Sequence, residues 1–474
     1  MTPGARIQAS IELLDQIFRS WDSEKRFPAD KLIDQYFKAR KFIGSKDRAY
    51  TGELVYWCLR HKASLEWWIA KLEGDVHARA VVLTALMLRK DFTVAELDAI
   101  SQDSKYALAK LTPLEKQRCE ELYRHPREGG DPFANKDNQR RIDSRLRGSD
   151  EAEIPDPVRL NYPEWMDAIL RESFGAEFER AMQALNAQAS TDLRVNTLKT
   201  TREALRDALY KEGFETELTT LSPIGLRLKK RAPIFTSPLF KAGHFEVQDE
   251  GSQLVALLVD AQPGMKVIDF CAGAGGKTLA LAAAMKNKGR ILAWDTSEKR
   301  LAQMSQRLKR AGVDNAQSHV ITSEQDAFIK RHKASADRVL VDAPCSGSGT
   351  WRRNPDLKWR FSARDLREVI TVQQSILQSA ARLVKPGGRI VYATCSVLTE
   401  ENENQIAQFL KNGNNFRVVC AKKIWDKERT AGETERKNSV SYLRVTPHQD
   451  GVDGFFAAVL ERRLDRVDIN SNQT

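Results

Sequence analysis

The 474-residue chain lacks the marks of several large protein classes. Nowhere does an apolar run approach the ~18 residues that a transmembrane helix needs, so no membrane span is expected. The opening MTPGARIQASIELLDQIF has no basic n-region, apolar core and cleavage site in series, which argues against export. Cysteine is sparse and scattered, at positions 58, 119, 271, 345, 395 and 420, and no two form a CxxC pair. Neither a metal site nor a disulfide framework is suggested, and a reducing cytoplasm fits. No internal repeat is visible.

What is present in excess is positive charge: 75 Lys and Arg against 64 Asp and Glu, a formal net charge of +11. Basic side chains that neutralise phosphates release condensed counterions, so this balance favours a polyanionic partner such as nucleic acid. A basic but solvated surface fits the same count. The 41% hydrophobic and 29% charged composition is that of a soluble globular protein. The length allows roughly two to four domains.

Residues 1–122 read as an all-α bundle. Ile7, Ile11, Leu14 and Phe18 share one helical face, and Leu32, Ile33, Tyr36 and Phe37 repeat the pattern. Trp57, Trp67 and Trp68 read as packing residues rather than base-stacking ones. Residues 123–153 follow as a Gly-, Pro-, Asp- and Arg-rich insertion or linker, expected to be exposed and flexible. Its PREGGDP and DSRLRGSD resemble peptides encoded by mobile palindromic elements, which survive only where a loop tolerates them. Residues 154–245 read as a small α/β domain, with LRVNTLKT (193–200) a strand and turn, REALRDALYKEG (202–213) a helix and GLRLKK (225–230) a basic strand or hairpin arm. From 246 to 462 short apolar runs alternate with helical stretches: KVIDF, RILAWD, RVLVDAP, GRIVYAT and FFAAVL. That alternation predicts a mostly parallel, Rossmann-like sheet with helices on both faces and an antiparallel last strand. Residues 463–474 read as a disordered tail.

FCAGAGGKT (270–278) looks at first like a phosphate loop. Gly276, Lys277 and Thr278 match the end of G-x-x-x-x-G-K-[ST], but Cys271 stands where the first Gly belongs. The dinucleotide pattern fails too, since Thr278 occupies the last Gly position counted from Gly273. What remains is D-x-x-x-G-x-G-G at the end of the first strand, where such sheets bind ligands. Gly273, Gly275 and Gly276 permit close backbone approach. One strand later, RILAWD ends in Asp295, placed to accept from both ribose hydroxyls of an adenosine. A nucleoside ligand without phosphates suits this loop, and S-adenosyl-L-methionine is the expected cofactor. A Rossmann-like domain with a turn-forming Gly cluster is the plainer alternative.

DAPCSGSGTWRRNPDLKW (342–359) and ATCS (393–396) each follow a predicted strand, so Cys345 and Cys395 are expected above one crevice. A lone buried cysteine is commonly a small hydrophobe; two converging thiols call for chemistry. Methylation at carbon 5 of a pyrimidine fits. A thiolate adds to carbon 6, carbon 5 becomes nucleophilic enough to take a methyl group, and loss of the carbon-5 proton then expels the thiol. Asp342 is placed to assist at ring nitrogen 3. The thiolate needs a nearby Lys or Arg to lower its pKa.

VQDEGSQLVA, DFCAGAGGKT, WDTSEKRL, DAPCSGSGTWRRNPDLKW, YATCSVLTEENENQ and the closing DGFFAAVL resemble, in order and spacing, the RsmB/Sun family of RNA cytosine-5 methyltransferases. The resemblance covers about 160–462 strongly, and the helical N-terminal region is similar to the family's NusB-like RNA-binding domain. It implies a multidomain fold: NusB-like bundle, small α/β domain and C-terminal class I methyltransferase domain. It makes Cys395 the nucleophile, Cys345 the residue assisting product release, and Asp342 a neighbour of cofactor and cytosine. Cys271, Ala272, Gly273, Ala274, Gly275, Gly276 and Lys277 become the cofactor loop, and Asp295 the ribose acceptor. The implied partner is RNA, 16S ribosomal RNA by preference with transfer RNA open, and a monomer without membrane association is expected.

The chain departs from the family pattern twice. Gly273 and Ala274 stand where CAAPGGKT has Ala-Pro, and HVITSEQDAF (319–328) offers Thr322, Ser323 or Glu324 where an Asp usually neighbours the adenine. Arg352, Arg353, Lys358 and Arg360 are expected near the target, with Trp351 or Trp359 stacking on a flipped base. Two rival functions are a catalytically silent RNA-binding assembly factor and a P-loop kinase. The intact Cys395, Cys345, Asp342 and Asp295 weigh against the first, and Cys271 against the second.

Overall fold

The computed structural model describes residues 1–23, 26–102, 106–124, 154–413, 415–425 and 441–464. The expected linker (123–153) and tail (463–474) therefore lie almost wholly outside the described residues. The chain divides into two compact units, 1–188 with 351–363, and 189–350 with 364–474. This division cuts the stretch 154–245 that reads as one domain. Among the described residues no helix is long and apolar enough to cross a membrane.

The first unit is helical. Its opening helix, Pro3–Trp21, starts at an N-cap where Thr2 accepts from the Ala5 N–H and Pro3 sits at N1, a position that needs no N–H donor. Ile7, Leu13, Leu14 and Ile17 from it are completely buried. The helix Ala78–Arg89 is apolar nearly all round and forms the centre of the bundle, with Val81, Val82 and Leu86 at zero exposure. Trp57, Trp67 and Trp68 pack in this core. Residues 351–363 complete the unit, although they follow the Cys345 loop in sequence.

The second unit carries two sheets. The smaller has strands β1 (Asp192–Val195), β2 (Thr216–Leu218), β3 (Gly225–Leu228) and β4 (Phe245–Val247), in the order β2-β3-β1-β4, all antiparallel. Leu205 and Leu209 of the helix Arg202–Lys211 pack against Leu193, Val195, Leu226 and Phe245. The larger sheet contains β5 (Lys266–Asp269), β6 (Arg290–Asp295), β7 (Ala316–Val320), β8 (Ala336–Asp342), β9 (Val384–Thr394), β10 (Phe416–Val419), β11 (Leu443–Val445) and β12 (Phe455–Arg462). Its order is β10-β12-β9-β8-β5-β6-β7, with β11 also paired to β12. Strands β5 to β9 are mutually parallel and β12 is antiparallel to β9. Apolar clusters form on either side of this sheet, which is why its central strands read as continuous hydrophobic runs rather than alternating ones.

β5 comes first in this sheet, yet it lies in the middle, with β6 on one side and β8 on the other. The connections diverge there. The loops after β5 and β8 part and leave a crevice at the carboxyl ends of the strands, the place where such sheets hold ligands.

Candidate active site

The crevice has a volume of about 620 Å³ and is lined by Cys271, Ala272, Gly273, Ala274, Gly276, Lys277, Asp295, Asp342, Cys345 and Cys395, together with residues the sequence did not single out. Gly275 stands just behind the lining. It caps the helix Gly276–Ala284 with φ +81°, and a Cβ there would lie 2.4 Å from the Met304 side chain. Both conformation and space require glycine at that point. Gly273 is also left-handed, at φ +55°, but open around its Cα.

The glycine loop is pinned on both sides. Asp295, ending β6, accepts from the Gly273 N–H at 2.8 Å and, through its other oxygen, from the Ser297 N–H at 2.8 Å. Arg307 donates to the Ala274 carbonyl at 2.8 Å and is held by Glu246. Arg194, from β1 of the smaller sheet, donates to the Gly276 carbonyl and to Gln248 Oε1 at 2.7 Å. Burial pulls the Arg194 guanidinium down to about 10, so it remains charged at neutral pH. Sequence reasoning missed Arg194 and Arg307 because each reaches the loop from another element, with no local motif to mark it.

Asp269, the last residue of β5, is 1% exposed. Its Oδ2 accepts from Thr278 Oγ1 at 2.7 Å, whereas Oδ1 is buried with no hydrogen-bond partner among the described residues. Burial, against the help of that hydroxyl, pushes the carboxyl up to about 7. Lys277 does not reach for a phosphate. Its Nζ lies 2.7 Å from Asp342 Oδ2. Burial opposes its charge, but Asp342, Cys395 and Asp269 outweigh that opposition and hold the ammonium above the ordinary lysine range. Cys271 is a neutral wall, its thiol pushed well up by burial and by the carboxylates of Asp342, Asp269 and Asp295.

The two expected cysteines meet. Cys345 lies three residues past β8 and Cys395 one past β9, and these strands pair in parallel with Asp342 opposite Ala393. Their sulfurs are 3.4 Å apart. The hydrogen bond to Cys395, then burial, the charge of Cys395 and that of Glu401, push the Cys345 thiol well above its ordinary range. The Cys345 loop is locked by a backbone approach in which a Cβ on Gly349 would lie 2.1 Å from the Gly454 carbonyl oxygen. The Gly349 N–H donates to the Cys395 carbonyl at 2.9 Å.

Other expected residues lie elsewhere. Of Thr322, Ser323 and Glu324, only Glu324 lines the crevice; Thr322 is bound to Asp326. The basic stretch after Cys345 is a correction to the sequence reading. Trp351 is 2% exposed, Arg352 7% and Lys358 1%. Lys358 Nζ donates to the carbonyls of Arg60 (3.1 Å) and Asn161 (2.9 Å) and to Asn186 Oδ1 (2.6 Å). Trp359 Nε1 donates to the Leu59 carbonyl at 2.6 Å. Lys358 and Trp359 thus tie residues 351–363 to the helical unit, and none of the six named basic and aromatic residues from 351 to 360 is among those lining the crevice.

The crevice fits S-adenosylmethionine on its own chemistry. An unpartnered buried carboxylate oxygen on Asp269 suits an ammonium group, Asp295 suits a diol, and a tight glycine turn admits a flat nucleoside.

Comparison with known proteins gives a consistent picture. The model of the family described as 16S rRNA methyltransferase RsmB/F matches residues 256–461, and that of its ferredoxin-like domain matches 162–235. The chain is 34% identical over 315 residues to the probable ribosomal RNA small subunit methyltransferase B of Synechocystis sp., covering 66% of this chain and 69% of the relative. It is 28% identical over 431 residues to the ribosomal RNA small subunit methyltransferase B of Erwinia tasmaniensis, covering 90% and 93%. Among solved structures, a methyltransferase homolog protein from Pyrococcus horikoshii superposes with a TM-score of 0.56 at 29% identity, over 65% of this chain and 97% of that one.

Proposed function

We propose, from the premise that this chain belongs to the RsmB/F family of 16S rRNA methyltransferases, that it methylates carbon 5 of a cytosine in 16S ribosomal RNA through a covalent bond to Cys395. The observation that carries this reading is the 3.4 Å separation of two sulfurs beside the Lys277–Asp342 pair in the cofactor crevice. An enzyme that transferred methyl to an already nucleophilic atom would need neither sulfur.

The cofactor is S-adenosylmethionine, which supplies an electrophilic methyl group. Asp295, the Gly273–Gly276 turn and Asp269 are the groups that would hold it. Cys395 adds to carbon 6 of the cytosine, with the Lys277 ammonium offering positive charge beside the thiolate. Asp342, about a third exposed and aimed into the crevice, is the group available to the cytosine ring at nitrogen 3. Cys345 stays a neutral thiol during attack. In the closing elimination the carbon-5 proton passes to water, its bonding pair re-forms the carbon 5–carbon 6 double bond, and Cys395 leaves as a thiolate to which the Cys345 S–H can donate. The helical unit is read as a NusB-like RNA-binding domain, and the smaller sheet as an aid to target recognition.

The test uses full-length protein with ribosomal RNA and cofactor. Cys345→Ala is expected to accumulate a protein–RNA adduct that survives a denaturing gel, and Cys395→Ala to form no adduct and no 5-methylcytosine by bisulfite sequencing. Normal methylation by Cys395→Ala would overturn the assignment.

A further inference from the structure

Behind the two sulfurs lies a buried polar knot centred on Glu401. This residue closes the turn Thr399–Glu401 and has zero exposure. Its Oε1 accepts from the Ser346 backbone N–H at 2.7 Å and from Gln373 Nε2 at 3.0 Å. Its Oε2 accepts from the hydroxyls of both Ser346 and Ser396. Ser346 directly follows Cys345, and Ser396 directly follows Cys395. Ser348 Oγ closes the knot, 3.2 Å from Ser346 Oγ and 3.0 Å from Ser396 Oγ, and accepts from the Val397 N–H. Gln373 adds a second tether through its bond to the Pro344 carbonyl at 2.9 Å.

Burying a carboxylate is costly unless its lone pairs are met. Among the described residues Glu401 has no basic partner in an ion pair. Its four donors are neutral, and three of them come from the residues next to the two cysteines. An uncharged clamp would close the loops at lower cost, so the placement of a charge between the two sulfur-bearing loops calls for a reason. We propose that Glu401 is a positioning residue: through Ser346 and Ser396 it holds the Cys345 and Cys395 thiols in contact and keeps their roles distinct. The proposal rests on the two-cysteine reading above. Its charge also contributes, behind the Cys395 hydrogen bond and burial, to keeping Cys345 protonated.

Glu401→Gln in the full-length protein is the test. The amide keeps the shape and places a donor against two hydroxyls. The first readout is independent of RNA. Diamide, a diazene oxidant, takes two protons and two electrons from the thiol pair and becomes the hydrazine as the Cys345–Cys395 bond forms. Peptide mapping should show this bond forming about tenfold more slowly in the variant, because disulfide closure depends steeply on geometry. The second readout is turnover, expected to fall ~100-fold with S-adenosylhomocysteine affinity changed by less than about threefold. The third is the alkylation rate of Cys345 in a Cys395→Ser background, whose pH midpoint should move down once the carboxylate is gone. If Glu401→Gln does not fold, Ser346→Ala and Ser396→Ala each remove one arm and should each slow the diamide reaction. A folded variant with wild-type disulfide rate, turnover and midpoint overturns the proposal, as do serine variants without effect. Failure to trap an RNA adduct with Cys345→Ala would instead overturn the covalent reading while leaving the diamide result standing.

Discussion

Lys277 Nζ lies 2.7 Å from Asp342 Oδ2, a bond that spans the divergence between β5 and β8. A lysine in a glycine-rich loop ordinarily reads as a phosphate ligand. Here it neutralises the residue that ends the neighbouring strand, and its ammonium also feels the charge of Cys395. One cation thus links the cofactor loop, the carboxylate that ends β8 and the Cys395 sulfur for which we propose the attacking role.

Lys277→Met should therefore lower turnover by ~100-fold, because a buried charge-assisted contact at the reacting atoms is removed. Adduct formation in the Cys345→Ala background should slow to match. The pH dependence of stability has a definite sign. The folded ammonium titrates above its unfolded value, so its contribution is fully present below the ordinary lysine value of ~10.4 and fades as pH rises past it. Denaturant unfolding of wild type and Lys277→Met should show the lysine's own share of the gap narrowing as pH rises past ~10.4, apart from a change near pH 7 where Asp269, which Lys277 helps keep ionised, titrates.

Asp269 predicts a pH dependence of cofactor binding. Its carboxyl, raised by burial to about 7, holds a proton in the folded state that the unfolded chain has already lost. Between about pH 4 and 7 the fold is progressively destabilised by this group. A ligand ammonium beside the unpartnered Oδ1 favours the carboxylate and reverses that cost. S-adenosylhomocysteine should bind more tightly as pH rises, approaching tenfold per unit below about 7 and levelling above it. Calorimetry in two buffers of different ionisation heat should detect the released proton. Asp269→Asn should flatten the profile and weaken binding at pH 8 by about tenfold. A wild-type affinity unchanged from pH 6 to 8 would remove Asp269 from cofactor recognition.

The cysteine pair was legible because each thiol directly follows an apolar run, and parallel pairing of two such runs brings their ends together. Asp295 was legible for the same reason. Glu401 was not: in TEENENQ a charged residue reads as a solvated helix start, and only the fold of the Cys345 loop supplies its donors. Of the three loop glycines, the sequence could not tell that Gly275 alone is blocked by a side chain, since Met304 comes from the following helix. The clearest misreading was of Lys358 in WRRNPDLKWR (351–360), which is 1% exposed. Basic and aromatic residues beside a catalytic motif look substrate-facing, but long-range acceptors on Arg60, Asn161 and Asn186 decide where Lys358 goes.

Lys358 offers a test of that misreading. A lysine at an RNA surface and a lysine buried among carbonyls give opposite signatures on removal. Burial, and then Arg60, press its ammonium well below the ordinary lysine range. Between that depressed value and ~10.4 the unfolded chain binds the extra proton, so wild-type stability rises with pH through this window. Lys358→Met leaves three acceptors without their donor and should cost on the order of 1–3 kcal/mol at neutral pH, seen as faster hydrogen exchange across residues 351–363. The deficit should shrink as pH falls and the wild type bears the burden of a buried charge. Affinity for RNA should change by less than about threefold, and the slope of log affinity against log salt should stay the same, because no phosphate contact is lost. A salt slope reduced by about one, with exchange across 351–363 unaltered, would return Lys358 to the RNA surface.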